Sequence, residues 1–409
     1  MSTQIDTDYE QAIRAHLDSL LNIFLNPQPQ DFLELNLVKK FYKHLLDGKP
    51  NDYKFQTPTY GWWDLTSACN FRCAHCLYND SEYSNKDDLT TEQVFNLANE
   101  LIDDFNIFKI ILTGGEIFMH PNLIDVVKLF KENNVAVQLM TNAGLMNDEH
   151  IEILSKILNP YTDLVQISLD GATAETFKKV RRTDLFEKIV SNIKKLVNNG
   201  LKVRIACTIN SINYHEIEAV YELCDSIGVE SVLFGKMVYH NESHKDLMVS
   251  NRDLLLLNER LIKLRNPERN SVLVNSIFSV LDLVGIPEVL KILNEDKYLP
   301  ILKLDNEPMR RDCHFHDRFS IRSNGKIYLC LDSNCEDCCI GDYKKNSMLE
   351  IWQNLDKNPM FQPRTLDKMV CKDCKFNKVC RGGCKAQAYE KYGDINCPSS
   401  KCILFNPEK

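Results

Sequence analysis

The sequence predicts an α/β fold in which parallel strands alternate with helices. Short apolar runs are separated by stretches in which apolar residues recur at helical spacing, and this alternation repeats six times between residues 62 and 234. Repeats of this kind imply parallel strands joined by right-handed crossover helices. Runs such as Ile110-Ile-Leu112 are apolar throughout, as expected for strands that are covered on both faces. Periodicity alone allows either a doubly wound sheet or a barrel.

Each element has its own local signature. The first helix begins at a capping box formed by Thr90 and Gln93, after which Val94, Leu97 and Leu101 follow at helical spacing. Strands are predicted where apolar runs occur, at 62–66, 107–112, 135–140, 164–169, 202–209 and 230–234. Further helices are predicted at Asn122–Asn133, Asp148–Leu158, Phe186–Asn198 and Tyr214–Ile227. In a doubly wound sheet or a barrel alike, the reactive groups lie at the carboxyl ends of the strands.

Composition bounds the size and the partners of the protein. A chain of 409 residues exceeds one ordinary core, so a large α/β domain with a satellite is expected. The net charge of −8 provides no basic footprint, and nucleic acid is not expected as a partner. The sequence shows no secretory signal, and no apolar run reaches the roughly 18 residues of a membrane span. We therefore expect a cytoplasmic protein without a membrane partner.

The cysteines are numerous and unevenly distributed. Sixteen are present, and eleven of them lie between Cys313 and Cys402. In a reducing compartment such density indicates metal or redox chemistry rather than a disulfide scaffold. Cys207, in a strand, and Cys224, on a helical stripe, are predicted to be small buried hydrophobes.

A cysteine triplet follows the first predicted strand. Cys69, Cys73 and Cys76 have the spacing C-x₃-C-x₂-C, and three thiolates can hold three irons of a cubane while leaving the fourth iron open. The alternative is a zinc site, with His75 as fourth ligand. A histidine directly beside Cys76 is badly placed to close the same tetrahedron, so the cluster is favoured.

Polar motifs follow four further strands. They are Gly114-Gly115-Glu116, Thr141-Asn142, Ser168-Leu-Asp170-Gly171 and Thr208-Ile-Asn210. Each alone is compatible with an ordinary strand-to-helix turn. All four are predicted at the same edge of the sheet as the triplet, which favours a shared site.

The triplet and the Gly-Gly-Glu turn, in this order, resemble the radical S-adenosylmethionine (SAM) superfamily. The resemblance implies a partial (β/α)₆ TIM-like barrel. It also implies that SAM chelates the open iron of a [4Fe–4S] cluster and yields a 5′-deoxyadenosyl radical after transfer of one electron. The cysteines would then be the catalytic ligands, and a flavodoxin or ferredoxin would be the external one-electron reductant.

The same resemblance implies the residues that contact SAM. The two glycines would let the backbone approach the methionyl group, and Glu116 would stabilise the turn or orient the amino group. Arg181 is a candidate for the carboxylate, although the adjacent Arg182 is an alternative and either side chain could instead be solvated. His75 takes the position of an aromatic residue near the adenine. The implied cofactor contacts are His75, Gly114, Gly115, Glu116, Ser168 and Arg181.

The carboxyl-terminal cysteines resemble the SPASM extension of peptide- and protein-modifying radical SAM enzymes, which holds two auxiliary [4Fe–4S] clusters. The motif C-x₂-C-x₅-C-x₃-C follows a G-x₄-C element. A zinc ribbon could use the four cysteines of that motif, but it would leave the others unexplained. The resemblance implies Cys313, Cys330 and Cys384 as ligands of the first auxiliary cluster, and Cys371, Cys374, Cys380 and Cys402 as ligands of the second.

Two departures from the family pattern matter. No cysteine follows shortly after Cys313, so the fourth ligand of the first auxiliary cluster is Cys335, Cys338 or Cys339, or the iron is open. Cys402 is preferred to Cys397 because its longer gap after Cys384 fits the family better.

The second departure concerns the residue after Cys330. In the sulfatase-maturing branch a catalytic aspartate follows the cysteine of the G-x₄-C element. Leu331 stands there in this chain, which weakens that function.

The predicted organisation and function follow from these motifs. We expect a helical segment at 1–55, the barrel at 56–240, a helical bridge at 241–310 and the SPASM domain at 311–409. The predicted function is modification of a ribosomally made precursor peptide, through a carbon–carbon or thioether crosslink or a related oxidation. The alternatives are maturation of a sulfatase or of another enzyme, and, in a different class, a non-catalytic electron carrier or scaffold.

Overall fold

The computed structural model describes residues 58–76, 84–237, 242–264 and 318–331, most of 333–374 and of 381–399, and isolated positions elsewhere, including a helical stretch at residues 10–15. Its strands are β1 (Tyr60–Thr66), β2 (Lys109–Gly114), β3 (Ala136–Thr141), β4 (Leu164–Ser168), β5 (Val203–Ile209), β6 (Ser231–Lys236), β7 (Leu273–Val274), β8 (Arg318–Ile321), β9 (Lys326–Tyr328) and β10 (Cys339–Asp342). Its helices are α1 (Thr91–Asp103), α2 (Leu123–Glu132), α3 (Asp148–Ile157), α4 (Ala174–Arg181), α5 (Phe186–Asn198), α6 (Ile217–Ile227), α7 (Asn251–Leu264), α8 (Met348–Gln353) and α9 (Lys385–Tyr392).

The described strands form one sheet whose order distinguishes between the two predicted architectures. Strands β1 to β6 lie side by side in chain order and all pair in parallel. A doubly wound sheet would reverse its strand order, whereas a (β/α) barrel runs in sequence. The sheet is open, because β1 pairs on its other side with β8 rather than with β6. The predicted α/β fold with six parallel β/α units is therefore confirmed.

The six predicted strands each begin and end within two residues of the observed ones, and the capping box of Thr90 and Gln93 is present at the start of α1. Helix α4 was not predicted. Its sequence is polar, and only Thr176, Phe177, Val180 and Arg181 are buried, so no apolar stripe marks it. Thr173 caps its N-terminus by accepting a hydrogen bond from the Thr176 N–H.

The core lies between the sheet and its covering helices, and it includes Cys207 and Cys224, buried as predicted. In the N-terminal helical stretch Ala12, Ile13 and Leu17 are buried, and residues 19–55 of the predicted helical segment lie outside the described residues. The bridge contains α7, but Leu273–Val274 pairs with β6 as a further parallel strand, so the prediction of helices alone was wrong there. Within the described residues, no helix is long and apolar enough to cross a membrane.

The cysteine-rich half extends the same sheet. Strand β8 pairs in parallel with β1, and β9 and β10 follow as antiparallel strands. Arg322 ties the two halves together, because Nη1 donates to Asp64 at 3.2 Å and Nη2 donates to the carbonyl of Leu331 at 3.0 Å. Leu331 directly follows Cys330. One guanidinium therefore joins the strand that leads to the triplet with the chain beside a predicted auxiliary ligand.

Candidate active site

The triplet loop leaves the carboxyl end of β1 and is held there by Asp88. This carboxylate accepts hydrogen bonds from the Thr66 hydroxyl at 2.7 Å, from the Ser67 N–H at 3.0 Å and from the Ser67 hydroxyl at 2.9 Å. The three cysteines that follow are partly buried. Asp88 lies outside every motif found in the sequence, so the sequence analysis missed it.

The Gly-Gly-Glu turn packs directly against this loop. The Gly115 N–H donates to the Thr66 carbonyl and the Glu116 N–H donates to the Ala68 carbonyl, each at 2.8 Å. Gly114 has a φ of +128°, a conformation that favours glycine. A Cβ on Gly115 would lie 2.2 Å from the Ala68 carbonyl oxygen. In this structure the second glycine therefore permits a close approach between the turn and the triplet loop itself.

Substitution of Gly115 by alanine is expected to destabilise the site strongly. The new methyl group would meet the backbone oxygens of Ala68 and Ser67, which cannot move without displacing the loop, so the cost should exceed the roughly 1–3 kcal/mol that is typical of overpacking. Gly235 provides the control, because a Cβ there would meet nothing within 4 Å. Thermal unfolding and iron content after reconstitution measure the effect. Equal behaviour of G115A and G235A would contradict it.

The Glu116 side chain makes its contacts inside the protein rather than at its surface. Its fully buried carboxylate accepts hydrogen bonds from the Thr141 hydroxyl at 2.5 Å, the Asn142 N–H at 2.7 Å and the Phe118 N–H at 3.1 Å. Burial raises the pKa of Glu116, and these donors oppose that shift. Of the two roles predicted for it, this geometry supports stabilisation of the turn, because the carboxylate joins the ends of β2 and β3.

Arg181 is the inward-facing member of the arginine pair. It is buried at the end of α4, whereas Arg182 is exposed and has left-handed backbone geometry. Its Nε lies 2.5 Å from Asp170 Oδ2, and its Nη1 donates to Cys73 Sγ at 3.5 Å. Burial opposes the charge on Arg181, but Asp170 and Cys73 outweigh it and raise the guanidinium pKa. A fixed positive charge thus lies against one sulfur of the triplet.

Asp170 is fully buried and is held from several sides. Its Oδ1 accepts a hydrogen bond from the Thr208 N–H at 2.6 Å, and its carbonyl accepts one from Asn213 Nδ2 at 3.1 Å. Glu216 holds the same loop by accepting from the Ala172 N–H at 3.0 Å. The sequence placed Asp170 in a strand-end motif without giving it a role. Its position at the end of β4 was the available indication.

His75 lies on the other side of Asp170. Its Nε2 is 3.5 Å from Asp170 Oδ2, and burial lowers the pKa of His75 to about 4, so the ring is neutral near pH 7. Its Nδ1 is buried and has no hydrogen-bond partner among the residues that the structure describes. The His244 ring contacts the Cys76 carbonyl at 3.1 Å, which brings the segment after β6 against the triplet loop.

The triplet fits an iron–sulfur cluster with an open iron. Burial, with smaller contributions from the neighbouring thiols Cys73 and Cys76, raises the pKa of Cys69 to about 11. Metal binding requires thiolates, and iron and Arg181 provide the positive charge that such a group needs. In the described part of the chain, no three His, Cys, Asp or Glu side chains are arranged to hold a single metal ion. The buried His75 Nδ1 beside the loop has no hydrogen-bond partner among the described residues, as would fit a site that binds a polar ligand group.

For the remaining predicted SAM contacts, the structure shows only where the residues lie. Gly114 and Gly115 line the triplet loop, as described above. Ser168 ends β4 on the same edge of the sheet and is partly exposed. Direct SAM contacts by His75, Ser168, Arg181 and the glycines stay predictions.

The auxiliary cysteines are partly brought together. The thiols of Cys374 and Cys402 lie close enough to Cys371 to raise its pKa, after burial as the main cause. The pKa of Cys397 is raised mainly by burial and by Asp394. This grouping agrees with the preference for Cys402 over Cys397. Cys313 and Cys380 lie outside the described residues.

The predicted ligands of the first auxiliary cluster are less completely described. Cys330 follows β9, and Cys384 caps the N-terminus of α9. Cys335 and Cys338 form a disulfide, while the Cys339 thiol donates to the Gly341 carbonyl at 3.1 Å. The fourth ligand therefore stays open among the three cysteines that the sequence proposed, with Cys339 outside the disulfide.

Arg364 organises the segment that carries the late cysteines, and sequence analysis missed it. This buried guanidinium donates to the carbonyls of Ile395 at 2.5 Å, Gly383 at 3.0 Å, Cys397 at 3.0 Å and Arg381 at 3.1 Å. Such charge-assisted bonds each contribute roughly 1.5–3 kcal/mol. No motif reveals the role, because the four acceptors are backbone atoms.

The fold and the site fit an iron–sulfur enzyme in which the three cysteines at the carboxyl edge of a parallel sheet would hold a cubane cluster. Residues 63–224 match the radical SAM superfamily, and residues 313–375 match the SPASM iron–sulfur cluster-binding domain. The chain is therefore a radical SAM protein with a SPASM domain, and its cofactors are SAM and [4Fe–4S] clusters.

Individual relatives are distant. Fe-coproporphyrin III synthase of Methanosarcina barkeri is 25% identical over 85% of this chain and 88% of that protein. The antilisterial bacteriocin subtilosin biosynthesis protein AlbA of Bacillus subtilis is 28% identical over 54% of this chain and 48% of that protein. The structure of SuiB from Streptococcus suis bound to the precursor peptide SuiA superposes with a TM-score of 0.66 at 15% identity, covering 98% of this chain and 94% of that one.

Proposed function

We propose that this enzyme uses SAM and its clusters to oxidise a side chain of a ribosomally synthesised peptide, forming a crosslink or a related product. The observation that supports the proposal is that the strand leading to the triplet and the strand leading to Cys330 belong to one sheet. Strand β1 leads to the triplet and pairs directly with β8 of the cysteine-rich half, and Arg322 bridges Asp64 and the chain beside Cys330. We infer that substrate electrons leave through the auxiliary clusters, whose predicted ligands lie in the half of the chain that extends this sheet.

The residues of the chain perform definite tasks in this proposal. When bound, the cluster and SAM supply a 5′-deoxyadenosyl radical that abstracts an unactivated hydrogen atom. Gly115 and Glu116 hold the triplet loop against β2 and β3, so that the cluster lies at a fixed place on the edge. Asp170 and Arg181 hold the Cys73 sulfur in a buried, charged environment.

A peptide is the favoured substrate for three reasons. The six parallel strands do not close, so an extended chain can reach their carboxyl ends from the side. The acidic net charge disfavours nucleic acid. SuiB, which shares the fold, is known bound to a precursor peptide, and AlbA is named for biosynthesis of a peptide bacteriocin. Extended peptides also bind by strand addition, which open sheet edges permit.

The test is incubation with SAM, an external one-electron reductant of the flavodoxin or ferredoxin type, and a short precursor peptide encoded beside this gene. The expected product has lost two hydrogen atoms, a mass decrease of about 2 Da. One hydrogen atom goes to the deoxyadenosyl radical, one electron leaves through the auxiliary clusters, and one proton is released to water. Mass spectrometry measures the product. A boiled-enzyme control and omission of SAM should leave the peptide unchanged.

A second candidate is conversion of a tetrapyrrole, favoured by the likeness to Fe-coproporphyrin III synthase and to AdoMet-dependent heme synthase over most of the chain. The same incubation with an iron tetrapyrrole in place of the peptide, assayed for Fe-coproporphyrin III or heme as the product, separates the two functions. Conversion of the porphyrin without conversion of any peptide would overturn the peptide proposal. Oxidation of a sulfatase peptide would support the remaining alternative, against which Leu331 stands.

A further inference from the structure

The pair Asp170–Arg181 occupies an unusual position for a structural ion pair. The Arg181 guanidinium is almost fully buried. Its Nε lies against the Asp170 carboxylate, and its Nη1 donates to Sγ of Cys73, which is 108 residues away in the chain. A surface arginine would be screened by water. Here the charge lies beside a sulfur that ligates iron, where screening is weak.

We propose that Arg181 sets the reduction potential of the SAM-binding cluster through Cys73, and that Asp170 orients it and moderates its charge. Reduction adds one electron to the cluster and makes it more negative. A positive charge and an N–H donor at a ligand sulfur stabilise that reduced state, because hydrogen bonds to the sulfurs and net charge tune such potentials. Arg181 is thus a positioning residue that acts through the thiolate. The inference rests on the [4Fe–4S] cofactor of the proposed function and not on its peptide substrate.

The two partners should shift the potential in opposite directions. Loss of the arginine removes a positive charge near the sulfur and should move the potential to more negative values. Asp170→Asn removes a negative charge while its side-chain oxygen can still accept from the Thr208 N–H, so the potential should become less negative. A purely structural role of the pair would not give opposite signs, because either substitution would loosen the same contact.

The adjacent arginine provides a matched control. Arg182→Met removes the same formal charge one residue away, but that side chain is exposed. We expect Arg181→Met to lower the potential and Arg182→Met to leave it unchanged. Arg181→Lys keeps the charge but loses the fork that reaches both partners, so its potential should lie between those of Arg181→Met and the unmodified protein. This variant also tests the proposal if Arg181→Met fails to hold its cluster.

The experiment is a redox titration followed by electron paramagnetic resonance on reconstituted protein without SAM and without substrate. The spectrum of the protein that lacks Cys69, Cys73 and Cys76 is subtracted to isolate the triplet cluster. Opposite shifts for Arg181→Met and Asp170→Asn, with Arg182→Met unchanged, support the proposal. Equal potentials in all variants, or equal shifts for Arg181→Met and Arg182→Met, overturn it. Unchanged potential together with weakened SAM binding in Arg181→Met would assign Arg181 to the SAM carboxylate instead. Failure of peptide conversion affects none of these readings.

Discussion

Replacement of Cys69, Cys73 and Cys76 by alanine in one protein is expected to abolish reductive cleavage of SAM and to remove about four irons per chain. The three thiols lie on one loop between the Asp88 contact and the Gly-Gly-Glu turn, so no neighbouring element in the described residues replaces them. The auxiliary pair should remain, because its predicted cysteines lie in a separate segment of the chain, from Cys313 to Cys402. Unmodified protein is expected to hold three clusters.

The measurement combines iron and sulfide analysis with detection of 5′-deoxyadenosine after anaerobic reconstitution. Cys224→Ala is the matched control, since it removes a thiol that is buried in the core, away from the triplet loop. It should retain all iron and full SAM cleavage. A single cluster at the triplet, with zinc bound by the carboxyl-terminal cysteines, would contradict the expectation of two auxiliary clusters.

The strand positions were predictable because they depend on local apolar runs. Ile110, Ile111 and Leu112 are all buried, as the continuous apolar run in β2 predicts. The triplet and the Gly-Gly-Glu turn were also local patterns. Sequential strand order was not contained in the periodicity, and it required pairing between distant segments.

The electrostatic part of the site could not be predicted for the same reason. Arg181 and Cys73 are separated by 108 residues, and Thr141 and Glu116 by 25. Helix α4, which brings Arg181 inward, has too few apolar residues to show a periodic stripe. The sequence marks both Arg181 and Arg182 as candidates. The structure distinguishes them, because Arg181 is buried and Arg182 has left-handed backbone geometry.

Loss of an auxiliary ligand should separate SAM cleavage from product formation. In Cys371→Ala and Cys374→Ala the triplet is intact, so 5′-deoxyadenosine should still form, whereas the substrate radical has no electron acceptor and product should fall to the detection limit. The thiols of Cys374 and Cys402 lie close enough to Cys371 to contribute to its raised pKa, which supports the prediction that these positions share one cluster. Because metal binding is coupled to folding, loss of the cluster could also unfold this segment.

Cys397→Ala is the control that distinguishes these effects. Its backbone carbonyl accepts the bond from Arg364, and substitution of the side chain leaves that carbonyl in place. If Cys402 rather than Cys397 is the ligand, Cys397→Ala should keep both clusters and full product, while Cys402→Ala should behave like Cys371→Ala. Size-exclusion chromatography and circular dichroism establish that each variant is compact before product is measured. Normal turnover by compact Cys371→Ala protein would mean that the substrate electron does not leave through this cluster, and the proposed mechanism would be wrong.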